Sequence, residues 1–168
     1  MRKKVIAILT TVLIVSLAGC NKADNEGTTQ EVVNKNTFQT VKANEEGNLV
    51  IDTGNISRDA TFVNYEAVDG TTIQFIVVKA SDGSIRTTFN TCQACNPSPK
   101  AYFEQMEDTF ICQNCGNVFK TDQVGVEKGG CNPAIIEEKE QTNQSVIISA
   151  SYIDQYAGNF ATWMGPTE

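Results

Sequence analysis

Five of the six cysteines in this 168-residue chain fall between positions 92 and 131, as Cys92-Gln-Ala-Cys95, Cys112-Gln-Asn-Cys115 and Cys131, and the chain has no histidine. Sixteen residues separate the two C-x-x-C pairs, a spacing at which each pair forms one metal-gripping knuckle and the two close on a common ion. Whatever else the chain does, it must fold these pairs back to face each other. Cys92, Cys95, Cys112 and Cys115 are therefore candidate metal ligands, with Cys131 a fifth. A C-x-x-C turn aims both sulfurs at one ion when the backbone tightens after the second cysteine, which favours a residue tolerant of positive φ. Asn96 and Gly116 hold those positions. Gly129-Gly130 runs directly into Cys131 and Asn132-Pro133 follows it, so the fifth thiol also sits on sharply bent, closely approached backbone.

The missing histidine excludes several chemistries. A c-type haem needs C-x-x-C-H, and Asn96 and Gly116 stand where that histidine would be. Blue-copper and Rieske centres also need histidine ligands. A catalytic zinc keeps an open position, commonly beside histidine or carboxylate ligands, so an all-cysteine shell points to a structural or electron-carrying site and no catalytic residue is assigned. A cysteine nucleophile paired with histidine is impossible within the chain. Neither C-x-x-C opens a helix in a βαβ pattern, which removes a thioredoxin-like reading.

The N-terminus supplies the compartment. Arg2-Lys3-Lys4 is a positive n-region, and Val5 to Leu17 is an apolar stretch too short for a good membrane span. It ends Leu17-Ala18-Gly19-Cys20, which resembles the lipobox of bacterial lipoproteins, where the signal is cut before a cysteine that then carries acyl chains such as palmitate. Residues 1–19 are accordingly read as a signal peptide and Cys20 as the lipidation site. Two acyl chains suffice for stable attachment, placing the mature protein on the extracytoplasmic face of the bacterial cell membrane. Removing residues 1–19 takes away Arg2, Lys3 and Lys4 and lowers the formal charge from −7 to −10. No basic patch offsets this, so nucleic acid is excluded as a partner.

Residues 20–47 are polar, rich in Asn, Thr, Glu and Lys, without sustained apolar periodicity, and read as a flexible stalk behind the lipidated cysteine. Residues 48–168 remain for one modest domain, whose signals are mostly β. Ala60 to Val68 and Thr71 to Lys79 are rich in Val, Ile, Phe, Tyr and Thr, and Asp69-Gly70 between them predicts a two-residue hairpin turn. Asp82-Gly83 starts a further strand, Ile85 to Asn90, that runs into the first knuckle. Tyr102-Phe103 and Thr109 to Ile111 flank Glu107-Asp108, and the second of these strands delivers Cys112. Val146 to Ile148 is another strand candidate, and Ala150 to Trp163 reads as a short helix or irregular structure. Phe62, Phe75, Phe89, Phe103, Phe110 and Phe119 lie in or beside β runs and are expected to fill cores. The stretch between the knuckles holds few large apolar residues, so metal should supply much of its order. The expected fold is mainly β: a small antiparallel sheet domain whose cysteine knuckles form a zinc-ribbon-like or rubredoxin-like site.

The segment from Lys79 through Cys92-Gln-Ala-Cys95 to Pro99-Lys100-Ala-Tyr102 resembles the membrane iron-sulfur protein family named after the FtrD component of bacterial ferrous-iron transport. Cys112-Gln-Asn-Cys115-Gly116-Asn-Val-Phe119 and Val126-Glu-Lys-Gly129-Gly130-Cys131-Asn132-Pro133 are similar to that family too, and the resemblance runs from about Ile56 to Ile148. Larger relatives carry the domain behind transmembrane helices, whereas the feature read here is a lipid anchor. The resemblance implies an iron or iron-sulfur site, electron transfer linked to metal-ion transport, and a membrane permease or redox protein as partner. It describes a carrier rather than a stand-alone enzyme. Two other uses fit the same thiols: a redox-silent zinc site in a lipoprotein that serves as accessory or interaction module of a transporter, and disulfides formed after export. The odd number of clustered cysteines weighs against the disulfides.

Overall fold

The computed structural model describes residues 36–142 and 144–168. Residues 1–19, Cys20 and most of the stretch read as stalk lie outside the described residues. The described part is built from eleven strands: β1 (Thr37–Thr40), β2 (Asn48–Asp52), β3 (Thr61–Glu66), β4 (Thr72–Lys79), β5 (Ile85–Cys92), β6 (Phe103–Met106), β7 (Thr109–Cys112), β8 (Val118–Lys120), β9 (Pro133–Ile135), β10 (Glu140–Gln141) and β11 (Ser145–Ser149). One short helix, α1 (Ala150–Asp154), and two 3-10 turns, Thr121–Gln123 and Ala157–Phe160, complete it. The fold is mainly β, as its composition of β-branched and aromatic runs implies.

The central sheet has the order β1-β3-β4-β5-β9, and two three-stranded sheets, β10-β11-β2 and β6-β7-β8, accompany it. β4 is buried along its length on both faces, which explains why it reads as a continuous apolar run rather than an alternation. Its side chains divide by parity. Ile73, Phe75 and Val77 join a core with Val63, Phe89, Leu49, Ile51, Val146, Ile148, Ile153 and Phe160. Ile76 and Val78 join a second core with Phe62, Phe103, Phe110, Phe119 and the side chains of Cys92 and Cys112. Successive strand residues point to opposite faces, so this single strand separates a core without cysteine from one that ends in cysteine.

The expected hairpin of β3 and β4 forms, with Val63 opposite Phe75 and Glu66 opposite Thr72. The Ala67 N–H donates to the Thr71 carbonyl at 2.9 Å beyond the strand ends, so the loop proper is the three residues 68–70, not two. The Gly70 N–H donates to the Ala67 carbonyl at 2.9 Å, Gly70 itself has φ +83°, and the Asp69 carboxylate accepts from the Thr71 N–H at 2.9 Å. The extra residue lets a type I-like turn be corrected by one left-handed glycine, which preserves the twist of the strands. β1 was not expected, since it lies inside the segment read as stalk. It runs parallel to β3 with Phe38 opposite Phe62, and those rings stack with centroids 5.4 Å apart.

The segment from Cys92 to Cys131 is better packed than its composition suggested. Phe103, Phe110 and Phe119 are buried, Phe103 meeting Phe119 edge-on at 5.2 Å and Phe110 stacking on Phe119 at 5.6 Å. Three aromatics on one face of a three-stranded sheet are enough to give it a core against the central sheet, so metal is not its sole source of order.

Candidate metal centre

Cys92 is the last residue of β5 and Cys112 the last of β7. Both are buried in the second core, against which Cys95 and Cys131 also pack. A buried amide sets the distance between the strands that carry them. Asn90, two residues before Cys92, accepts from the Phe103 N–H at 2.8 Å and donates to the Phe103 carbonyl at 3.2 Å. Phe103 is in turn the register partner of Cys112. The backbone of 101–102 joins the knuckles directly, the Ala101 carbonyl accepting from the Cys92 N–H at 2.8 Å and the Tyr102 carbonyl from the Gln113 N–H at 2.9 Å.

The two knuckles repeat one local geometry. In each, the N–H following the second cysteine donates to the carbonyl of the first: Asn96 to Cys92 at 3.0 Å and Gly116 to Cys112 at 2.8 Å. The nearby backbone N–H groups of Cys95 and Ala94 act to lower the Cys92 thiol, and those of Cys115 and Asn114 to lower the Cys112 thiol, against the larger effect of burial. Such N–H groups stabilise negative charge on sulfur, as a metal-bound thiolate requires. The knuckles differ after the second cysteine. Gly116 has φ +74°, as expected, but Asn96 is not left-handed: Glu107 is the one non-glycine with positive φ among the described residues. Asn96 is held instead by its side chain, which donates to the Thr91 hydroxyl at 3.0 Å. A side-chain hydrogen bond there does the work that backbone conformation does at Gly116.

Cys131 is brought in by a loop clamped onto the first knuckle. The Gln93 N–H donates to the Asn132 carbonyl and the Ala94 N–H to the Gly130 carbonyl, both at 3.1 Å. The Gln93 side chain donates to the Pro133 carbonyl at 3.0 Å and accepts from the Gly129 N–H at 3.3 Å. Gly129 and Gly130 both have positive φ, +79° and +59°, so the bend into Cys131 requires glycine. Gln93 and Asn90 escape notice in the sequence because their partners lie far along the chain and belong to no motif.

The five cysteines among the described residues are free thiols that gather in one cluster, as two overlapping triads. The sulfurs of Cys92, Cys95 and Cys112 lie within 4.8 Å of one another, and so do those of Cys95, Cys115 and Cys131. Cys95 Sγ is 3.8 Å from Cys112 Sγ, and Cys115 Sγ is 3.2 Å from Cys131 Sγ. The second separation exceeds a disulfide bond, which is about 2.05 Å. The first matches the sulfur–sulfur edge of about 3.8 Å expected of a tetrahedron with metal–sulfur bonds of about 2.3 Å. Burial pushes the Cys92 and Cys112 thiols up from the ordinary range, since it penalises an uncompensated thiolate. Cys115 is exposed, and the Asn117 N–H together with the Cys131 thiol lowers it to about 7. Its partner Cys131 is pushed up to about 11, chiefly by that same contact with Cys115.

A family model described as membrane iron-sulfur containing protein, FtrD-like, matches residues 56–160. The chain belongs to that family. The matched stretch of the FtrD-like domain takes in β3 through α1 and all five clustered cysteines. No curated protein and no solved structure matches the chain. The donor set suits the iron-sulfur chemistry of the family's description: it is all sulfur, two of its five thiols are buried, and backbone N–H groups beside Cys92 and Cys112 favour their thiolates. No helix among the described residues is long and apolar enough to cross a membrane.

Proposed function

We propose that this FtrD-like protein is a lipid-anchored electron carrier on the extracytoplasmic face of the cell membrane, that its cysteine cluster holds iron or an iron-sulfur centre, and that it serves metal-ion transport through a membrane permease or redox partner. The observation that carries this reading is the gathering of five thiols, with no other kind of donor, at the end of a hydrophobic core. Iron held by thiolates exchanges single electrons at a potential tuned by hydrogen bonds to sulfur and by solvent exposure. The chain provides both controls. Backbone N–H groups of Cys95 and Cys115 favour the thiolates of the inner sulfurs, while Cys115 opens the cluster to solvent. A buried inner half limits reorganisation of water around a changing charge, and an exposed sulfur gives an electron a short path to a docked partner.

A structural zinc site is the second reading, supported by the 3.8 Å separation of Cys95 and Cys112, which suits a tetrahedral zinc as well as a tetrahedral iron. The deciding experiment is anaerobic purification followed by metal analysis, visible absorption and potentiometry. Iron with sulfur-to-iron charge-transfer bands that bleach reversibly on reduction is expected. Colourless protein containing zinc alone would replace the carrier with a binding module.

A further inference from the structure

We propose that the cluster takes two metal ions rather than one and that the thiolate of Cys95 bridges them. The inner ion is held by Cys92, Cys95 and Cys112, the outer ion by Cys95, Cys115 and Cys131. This rests on the reading of the cluster as a metal centre, but not on which metal it holds.

Cys95 alone belongs to both triads, so its sulfur lies within 4.8 Å of the other four. Among the described residues no fourth thiol joins either triad at that mutual distance. A single tetrahedral ion needs four sulfurs whose mutual separations are all about 3.8 Å. Cys115 also lies beside Cys112 and Cys131 beside Cys92, but only Cys95 belongs to both triads. Two triangles of sulfurs that share a vertex suit two ions with a common ligand, because a thiolate has lone pairs enough to bind both.

The surroundings support the division. Cys92 and Cys112 are buried and end strands, whereas Cys115 is exposed and Cys131 half-buried on a loop. That loop is not free to swing away, since Gln93 and Ala94 hold it by backbone and side chain on both sides of Cys131. Asn117, just beyond the second knuckle, adds a contact from its amide to the Cys131 carbonyl at 3.5 Å. A thiol serving merely as a spare would not need to be clamped from two directions. On loading, each cysteine that is a thiol releases its proton to solvent. Each ion then has three thiolates, and a tetrahedral ion keeps its fourth position for a small ligand such as water or inorganic sulfide. The ligand class is thus a pair of thiophilic ions, the inner one sequestered and the outer one exchangeable.

Cadmium is the probe. The reduced full-length protein, stripped of metal and kept anaerobic, is titrated with 113Cd(II) and followed by thiolate-to-cadmium absorption and by 113Cd resonances in the thiolate range. Two equivalents per chain are expected, as two resonances coupled to each other through the Cys95 sulfur. Cys131→Ser should halve the thiolate-bound cadmium and keep the inner resonance, and Cys95→Ser should abolish the coupling. Saturation of the wild-type protein at one equivalent overturns the proposal without recourse to any variant, as do two resonances without coupling. A one-equivalent result leaves the electron-carrier reading standing. Conversely, natural protein found to hold only zinc, yet binding two coupled cadmium ions, defeats the carrier and keeps the bridge.

Discussion

Asn90 binds the backbone of Phe103 as a neighbouring strand would, accepting from its N–H at 2.8 Å and donating to its carbonyl at 3.2 Å. Through this contact the strand that delivers Cys92 is set against the residue paired with Cys112. The same side chain donates to Gln74 Oε1 at 2.7 Å, and Gln74 donates to Asn64 Oδ1 at 2.7 Å, forming a buried amide row across β5, β4 and β3. Asn90→Ala strands the Phe103 N–H and Gln74 Oε1 in the interior. It should cost about 2–4 kcal/mol, because buried groups left without partners incur their desolvation penalty. Denaturant unfolding with metal bound measures the loss, and a change within experimental error would show that β6 is placed by packing alone.

Gln93→Ala removes both side-chain bonds that clamp the Cys131 loop, to Pro133 and to Gly129. These groups lie near the surface and water can replace them, so global stability should change by less than about 1 kcal/mol. Affinity for metal should fall roughly tenfold, the lower end of what loss of a ligand-orienting contact costs. Chelator competition and a denaturant curve on the same preparation separate the two effects.

Metal removal should loosen the molecule unevenly. The turns at 92–96 and 112–116 and the loop at 129–132 lose the metal that ties their cysteines together. The Phe103, Phe110 and Phe119 cluster and the first core keep their packing. Hydrogen exchange after verified chelation should therefore quicken at Gly116 and Ala94 while the β4 amides stay protected. Collapse of protection across β4 as well would mean that the cores depend on the metal.

In the metal-free protein Cys115 should be the thiol that reacts first. Its value of about 7 leaves it protonated and slow below that pH and as thiolate above it, so alkylation should rise through pH 7 and level off. At neutral pH the rate should exceed that of an ordinary exposed thiol by roughly tenfold, following its thiolate fraction. Cys131, held up near 11, should lag behind throughout this range. Peptide mapping after timed iodoacetamide treatment reads both sites, and bound metal should protect both.

The proposed anchor rests on Leu17-Ala18-Gly19-Cys20. Cys20→Ser should leave the β domain folded and either block processing or release the domain from membranes. A processed variant that still sediments wholly with membranes after an alkaline wash would rule out lipid attachment at this residue.

Features set by neighbouring residues were legible in the sequence. Asp69-Gly70 and Asp82-Gly83 marked turns because a left-handed glycine is a local requirement, and the C-x-x-C pairs marked knuckles because two sulfurs three residues apart can share one ion. Gly129-Gly130 announced a close approach by Cys131 on the same ground. The aromatic runs showed that a β core would form, but not that β4 would be buried on both faces and divide two cores, since that depends on which sheets cover it. Strand β1 was hidden because a four-residue polar segment becomes a strand only where β3 offers it an edge and Phe62 a ring to stack on. Asn96 shows the limit within a motif: its position called for left-handed backbone, yet Thr91 holds the side chain and that need disappears. The sequence by itself determined that five thiols and no imidazole would be available. Only the tertiary structure decided that Cys95 stands between the other four, because that follows from contacts of Asn90 and Gln93 with residues 13 to 40 positions away.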